Sequence, residues 1–86
     1  MRVRVGGRYY NLQFVRIKTD AWGYCDPPTK PCKRILIHKP LGSKHRLEIL
    51  IHEMLHALQW HIDEKHIAEA ARDIANVLDK VGYKSP

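Results

Sequence analysis

The chain has no apolar stretch long enough to cross a membrane, because charged residues and histidines interrupt every candidate run. Residues 1–4 lack the apolar region of a signal peptide. Eighty-six residues leave no room for a second domain, and there is no internal repeat or low-complexity segment. We therefore expect one domain, residues 1–86, in a monomeric cytoplasmic protein with no membrane partner.

Cysteine is scarce, since Cys25 and Cys32 are the only two and they flank a proline-rich loop. A zinc site built on them would need two more ligands, and their spacing is not that of a zinc knuckle. A reducing compartment disfavours a disulfide across the loop. Free thiols are the favoured interpretation, with a short disulfide and metal binding as the alternatives.

Acidic residues are also few, at nine against fifteen lysines and arginines, which gives a net charge of +6. A positive charge favours acidic partners, nucleic acid among them. The positive residues are scattered, and no run of them forms a basic arm. A solvated surface is therefore the simpler interpretation of the charge.

One dense motif stands out, the run His52-Glu53-Met54-Leu55-His56. Residues four apart share a face of a helix, so the two imidazoles can bind one tetrahedral Zn²⁺ at roughly 2.0–2.1 Å each. Glu53 would lie beside the metal without ligating it and could take a proton from the water that the metal activates. Shuffling this composition yields the pattern in only about 2% of cases, so we interpret it as a metal site.

The segment around this motif has a helical pattern. Apolar residues recur at helical spacing and predict an inward face made of Leu47, Leu50, Ile51, Met54, Leu55 and Leu58. The opposite side would hold His45, Ile49, His52, Glu53, His56 and Trp60. Gly42 and Ser43 supply a stop and an N-cap, so the predicted helix covers residues 43–60.

The whole pattern predicts an α+β fold in which a small, antiparallel-leaning, three-stranded sheet packs on two C-terminal helices. Residues 1–40 form the β part, with strands at 2–5 and 8–17 around the turn Gly6-Gly7, a loop at 19–31 and a strand at 33–39. Residues 41–86 form the helical part. Its second helix, residues 64–81, begins after the N-cap Asp63 and ends at Gly82. Its predicted inner face is Ile67, Ala71, Ile74, Leu78 and Val81.

A catalytic zinc needs a third protein ligand and leaves its fourth position to water. His61 follows His56 by five residues and so points away from the shared face unless the helix has ended. Glu64 shares the inward face of the second helix, where a carboxylate needs a partner, although its position would also suit the helix dipole. We favour Glu64; the alternatives, in order, are Glu69 with Asp73, then His66 and Asp63.

From Gly23 to Tyr83 the chain resembles a family of small, mostly phage-encoded metallopeptidases that are related to minimal gluzincin and SprT-like zincin domains. The matching segments are Gly23-Tyr24-Cys25-Asp26-Pro27-Pro28, Lys33-Arg34-Ile35, residues 47–57, Trp60, Asp63-Glu64, residues 71–75 and Val81-Gly82-Tyr83. The resemblance implies zinc bound by His52, His56 and a downstream acid, which in the family recurs at the Asp63-Glu64 step, with Glu53 catalytic. It implies no substrate.

The chain departs from the longer HExxHxxGxxH motif of the metzincins. Gln59 stands where that motif has glycine, and His61 comes one residue too early to be its third histidine. The motif is therefore typical of zincins as a class and does not indicate a metzincin.

The sequence thus predicts a zinc-dependent endopeptidase with His52, His56 and Glu64 as metal ligands and Glu53 as general base. The strand at 33–39 would form the cleft edge and pair with an extended substrate. Candidates for stabilising the oxyanion are Tyr24, His66, Arg72 and Tyr83.

A non-catalytic module is the alternative, because 86 residues offer little wall for a substrate cleft. In that interpretation zinc staples the fold, and the basic surface binds nucleic acid or a partner protein. A third interpretation combines the two, as a basic protease that acts on DNA-bound proteins.

Overall fold

A four-stranded sheet followed by two helices makes up residues 1–83, the part of the chain that the computed structural model describes. The strands are β1 (Arg2–Val5), β2 (Arg8–Val15), β3 (Gly23–Cys25) and β4 (Arg34–His38), and the helices are α1 (Ser43–Leu58) and α2 (Glu64–Lys80). The predicted α+β class, with both helices C-terminal to the sheet, is confirmed. The sheet has one strand more than we predicted.

The hairpin between β1 and β2 turns at Gly6 and Gly7, as predicted. Their φ angles are +60° and +77°, and two successive positive φ values are what a type I′ turn requires. The strands pair antiparallel, with Val5 opposite Arg8. β2 ends at Val15, two residues before the predicted boundary.

The strand order is β1-β2-β4-β3, and this order corrects two predictions. β4 runs parallel to β2, with Leu12 opposite Ile35, so the sheet is mixed. β4 is therefore an internal strand, and the prediction that it forms the cleft edge is wrong. The edge is β3, in a segment that we predicted as loop, and it pairs antiparallel with β4 through Cys25 opposite Ile35.

The core lies between one face of the sheet and α1, and it consists of Val5, Tyr10, Cys25, Ile35, Ile37, Ile49 and Ala57. The most buried residues of α1 are Ile49, Glu53 and Ala57, which our prediction placed on or beside its outer side. Met54 and Leu58, predicted inward, are 36% and 46% exposed. The predicted inner face of α1 is therefore wrong in part: Leu50 packs against the core, but α1 turns its glutamate-bearing side towards the sheet.

α2 packs against α1 and, within residues 1–83, makes no close contact with the sheet. Asp63 caps it as predicted, since its carboxylate accepts a hydrogen bond from the Lys65 backbone N–H at 3.1 Å. The buried residues of α2 are Ile67, Ala71 and Ala75, whereas Ile74 and Val81 of the predicted inner face are exposed. Neither described helix is long and apolar enough to cross a membrane.

Candidate metal centre

The two histidines of the motif lie one turn apart on α1 and direct their rings to the same point. Their Nε2 atoms are 3.1 Å apart. Both side chains are mostly buried, with 16% exposure for His52 and 18% for His56. As predicted from the i, i+4 spacing, both imidazoles lie on the same face of the helix.

Glu64 reaches the same point from the other helix. Its Oε1 lies 2.8 Å from Nε2 of His52, and its Oε2 lies 2.6 Å from Nε2 of His56. α1 ends at Leu58 and Glu64 is the first residue of α2, so the short turn between them lets α2 begin beside the imidazoles. Within residues 1–83 these three side chains form the one group of His, Cys, Asp and Glu residues close enough to hold a metal ion.

The donor set fits zinc in both chemistry and spacing. Zinc binds imidazole nitrogen and carboxylate oxygen, and catalytic sites supply three such ligands. With bonds of about 2.0–2.1 Å in a tetrahedron, ligand atoms lie roughly 3.3 Å apart. The separations here, from 2.6 to 3.1 Å, fall a little below that, so small outward shifts would admit the ion.

Glu53 lies beside this group on the buried side of α1. Its side chain lines the same pocket as His52, His56 and Glu64, and the residue is only 7% exposed. Burial, together with the nearby charge of Glu64, raises the pKa of Glu53 to about 7. It occupies the place predicted for the general base, next to the three converging side chains but outside the group.

Gly23 lets the edge strand pass directly over Glu53. A Cβ atom at this position would lie 2.7 Å from Oε2 of Glu53 and 2.7 Å from Cγ2 of Ile49, closer than real Cβ contacts. We did not assign Gly23 a role from the sequence. Its signal was present, since an isolated glycine in an extended segment often marks a close backbone approach.

Asp26 anchors the far end of the edge strand, and it is the second site-supporting residue that the sequence analysis missed. Its fully buried carboxylate accepts hydrogen bonds from the Arg34 backbone N–H at 2.8 Å, from Nε of Arg34 at 3.1 Å and from Nζ of Lys30 at 3.3 Å. Burial alone would raise the pKa of Asp26, but these bonds and one with Tyr24 outweigh it and lower the pKa to about 2. Asp26 thus ties the loop after β3 to the start of β4.

Two shallow pockets of about 240 Å³ each open on either side of Glu53. One is lined by Tyr24, Cys25 and Trp60, the other by Ala21 and Trp22, and both are lined by Gly23, His52, Glu53 and Glu64. The two pockets share these four residues and so adjoin beside β3 as one groove, and each has an exposed tryptophan in its lining, Trp60 in one and Trp22 in the other.

The structure separates the other candidate residues from this group. Glu69 and Asp73 are exposed on α2 and lie outside it. His66 pairs with Asp63 at 3.3 Å instead. His61 is exposed in the turn after α1 and lines neither of the two pockets.

Of the four candidates for the oxyanion, only Tyr24 lines one of these pockets. Its hydroxyl interacts with Asp26, which raises the pKa of Tyr24, and the guanidinium of Arg34 lies 5.8 Å from its ring centre. His66, Arg72 and Tyr83 line neither pocket. Tyr24 is thus the one of the four beside the group, but its register opposite Leu36 puts its side chain on the face of the sheet that points away from α1, where its hydroxyl interacts with Asp26.

Both cysteines are free thiols in the structure. Cys25 is buried at the pocket floor, where burial, followed by the charges of Glu53 and Asp26, raises the pKa of its thiol to about 12. Its sulfur therefore stays protonated and lies outside the group of converging ligands. Cys32 is exposed and has a positive φ of 55°.

Comparison with protein-family models, with curated proteins and with solved structures finds no match for this chain. The functional argument therefore depends on the geometry of the site and on the chemistry of its residues.

Proposed function

We propose that the protein is a zinc-dependent endopeptidase in which His52, His56 and Glu64 hold the metal and Glu53 is the general base. The observation that carries the proposal is the convergence of two imidazoles and a carboxylate, from two helices, beside a buried glutamate and an edge strand. A relation to small phage-encoded zincins is part of the same proposal and depends on the motif residues of the sequence. A cytoplasmic location, in the host cell for a phage-encoded protein, is part of the same proposal.

Glu53 would perform the proton transfer. Zinc held in such a site lowers the pKa of a water molecule towards about 7 and polarises a carbonyl group. The carboxylate of Glu53 takes the proton from the attacking water and passes it to the nitrogen of the leaving amine. Its burial between β3 and α1 limits its contact with solvent to the two pockets that it lines.

β3 would bind the substrate backbone, which moves this role from the strand at 33–39 to the true edge. Trp22 and Asp26 use their backbone groups to bond β4, through His38 N–H to Trp22 C=O and Asp26 N–H to Arg34 C=O. In an antiparallel ladder the intervening residues point their N–H and C=O groups the other way. Gly23 and Cys25 therefore offer backbone groups to an extended peptide that lies in the groove.

The test combines metal analysis with hydrolysis of a generic unfolded protein substrate. Purified protein should contain about one zinc per chain, and His56→Ala should lose it. Glu53→Gln should keep the zinc and the fold but lose hydrolysis, because the amide cannot accept the proton. Folded wild-type protein that takes up no zinc would refute the metal site, and equal hydrolysis by wild type and Glu53→Gln would refute the general base.

A further inference from the structure

The sheet face that points away from α1 is both basic and aromatic. Alternation along the strands puts Val5, Tyr10, Ile35 and Ile37 in the core, and hence their neighbours on the other side. We call this other side the open face; the residues on it that matter here are Arg2, Arg4, Tyr9, Asn11, Tyr24 and Arg34. No acidic residue occurs in the four strands; Asp26, directly after β3, pairs its carboxylate with Arg34, and apart from that one acid the charges on this face are positive.

The charge of the chain is divided in the same way. Residues 1–47 hold eleven of the fifteen lysines and arginines but two of the nine acids, a net charge of +9, which leaves −3 for residues 48–86. One of those two acids, Asp26, is buried and paired with Arg34 and Lys30. A strongly positive sheet side attracts a polyanion, and the negative helical side does not.

Tyr9 and the arginines around it form a stacking platform. The guanidinium of Arg2 lies 3.7 Å from the centre of the Tyr9 ring, and Arg4 is directly opposite Tyr9 on β1. Tyr9 remains 51% exposed in this stack, and Arg2 is exposed as well. Unpaired bases stack on such planes, while phosphates bind the guanidinium edges.

A cavity of about 580 Å³ extends this platform across the sheet. Its lining includes Arg2, Tyr9, Asn11, Lys33 and Arg34. Asn11, opposite Arg34 in the β2–β4 pairing, adds an amide that can hydrogen-bond a base edge. The surface thus has groups that bind bases as well as groups that bind phosphates, which fits a nucleic acid with exposed bases better than phosphate alone.

The distance between Tyr9 and the second aromatic residue of the open face, Tyr24, sets the length of the proposed binding surface. Tyr24 lies on β3, two strands from β2. It is opposite Leu36 of β4, which in turn is opposite Gln13 of β2. Tyr24 is therefore level with a position four residues beyond Tyr9 along β2. From the usual strand rise and spacing, the two tyrosines are roughly 16 Å apart. That distance corresponds to about three to five nucleotides of a single strand.

We infer that the open face binds single-stranded nucleic acid, with Arg2, Arg4 and Arg34 on phosphates and with Tyr9 and Tyr24 stacked on bases. This inference does not depend on the proposed peptidase activity, because none of these residues except Tyr24 lines the candidate metal centre. It gives the basic charge of the chain a definite location.

The experiment measures fluorescence anisotropy of a labelled oligothymidylate against the protein over a series of salt concentrations. The variant Arg2→Glu/Arg4→Glu should weaken binding at least about tenfold and flatten the salt dependence, because phosphate contacts are lost. The matched control is Arg72→Glu/Lys80→Glu, which makes the same change in net charge on the exposed side of α2. It should bind within about threefold of wild type, since these residues are far from any phosphate path.

Substitutions of Tyr9 separate stacking from charge. Tyr9→Ala should lose roughly fivefold to a hundredfold in affinity, the usual value of one stacked base, whereas Tyr9→Phe should bind like wild type. Thermal melts check that each variant is folded, which we expect because all the substituted positions are exposed.

Three results would overturn the inference. One is the absence of binding at low salt, and another is equal weakening by the Arg2/Arg4 and the Arg72/Lys80 double variants. The third is binding of polyglutamate or of duplex DNA as tight as that of the oligothymidylate, with no effect of Tyr9→Ala, which would assign the face to acidic proteins or to duplexes instead.

Discussion

Replacing Gly23 by alanine tests the closest approach in the structure, that of β3 to α1. The added methyl group would lie 2.7 Å from two atoms, Oε2 of Glu53 and Cγ2 of Ile49. Carbon atoms in contact normally lie about 3.5–4.0 Å apart, so the methyl needs roughly 0.8 Å or more of extra room. The carboxylate can swing away, but the branched Ile49 side chain is stiff, so β3 itself must move.

The expected cost follows from overpacking. Adding a methyl group to a filled space costs about 1–3 kcal/mol, of which alanine returns about 0.4–1 kcal/mol by restricting the unfolded chain. In a domain of this size each kcal/mol lost lowers the melting temperature by about 4–8 °C. Gly23→Ala should therefore melt several degrees below wild type. Under the proposed function it should also lose hydrolysis beyond what the lower stability explains, because Glu53 is displaced.

Gly42→Ala is the matched control. Gly42 precedes α1 with a φ of −64°, and a Cβ atom there would meet nothing within 4 Å. The same chemical change should therefore alter the melting temperature little, within about 0.5 kcal/mol of stability. The measurement is thermal denaturation of the three proteins followed by circular dichroism. If Gly23→Ala and Gly42→Ala melt together, within a degree of wild type, β3 does not approach Glu53 as described.

Three further predictions concern single side chains. Asp26 has a folded pKa of about 2, below its ordinary 3.8, so its stabilisation is complete above about pH 4 and is lost as the pH falls towards 2. The loss amounts to about 2 kcal/mol of unfolding free energy between pH 7 and pH 2. Urea unfolding at both pH values should show this drop in wild type, and the drop should be about 2 kcal/mol smaller in Asp26→Asn. Glu64→Ala should weaken zinc binding strongly and abolish the rise in melting temperature that zinc gives. Glu69→Ala should keep its zinc affinity and stay within about 0.5 kcal/mol of the stability of wild type. The reverse pattern would make Glu69 the third ligand. Tyr10 is 1% exposed and its hydroxyl has no hydrogen-bond partner in the described residues, so Tyr10→Phe should be neutral or stabilising, and a loss above about 1 kcal/mol would reveal a partner for that hydroxyl.

The sequence predicted the elements of this fold better than it predicted how they meet. Both helices lie close to the predicted bounds, because helical periodicity is a local feature and Asp63 caps α2; at α1 the N-cap is Gly42, without a side-chain hydrogen bond, and Ser43 is already the first helical residue. The Gly6-Gly7 hairpin was predictable for the same reason. β3 was not, since three residues between loop-forming segments carry no periodicity, and their extended shape depends on pairing with β4.

The inner face of α1 shows why packing was harder. A helix between a sheet and a second helix has apolar residues on more than one side, so the broad stripe did not tell which side meets the sheet. We placed Glu53 outward together with the histidines, and Ile49 fell on the same side by its helical position. Glu53 is instead buried beneath β3, and local patterns rarely identify a buried charge that serves a site.

The side chains that converge at the candidate metal centre were predictable from the sequence, whereas the residues that position β3 next to them were not. His52 and His56 follow from spacing within one helix. Glu64 was predicted from an inward helical phase, but its side chain is 66% exposed, and its place as the first residue of α2 is what brings it to the imidazoles. Gly23 and Asp26 act through contacts with residues 4 to 30 positions away, and the sequence does not show which residues those are.

The packing of α2 on α1 alone has a consequence for cooperativity. α1 is held on both sides, but α2 has a single neighbour, so it is the natural unit of local opening, with a free energy below that of global unfolding. Glu64 is its first residue, and both imidazoles stay with α1 when α2 detaches. An ion held by all three would cross-link two cooperative units, and amide hydrogen exchange in α2 would slow on zinc addition while exchange in the central strands stayed the same.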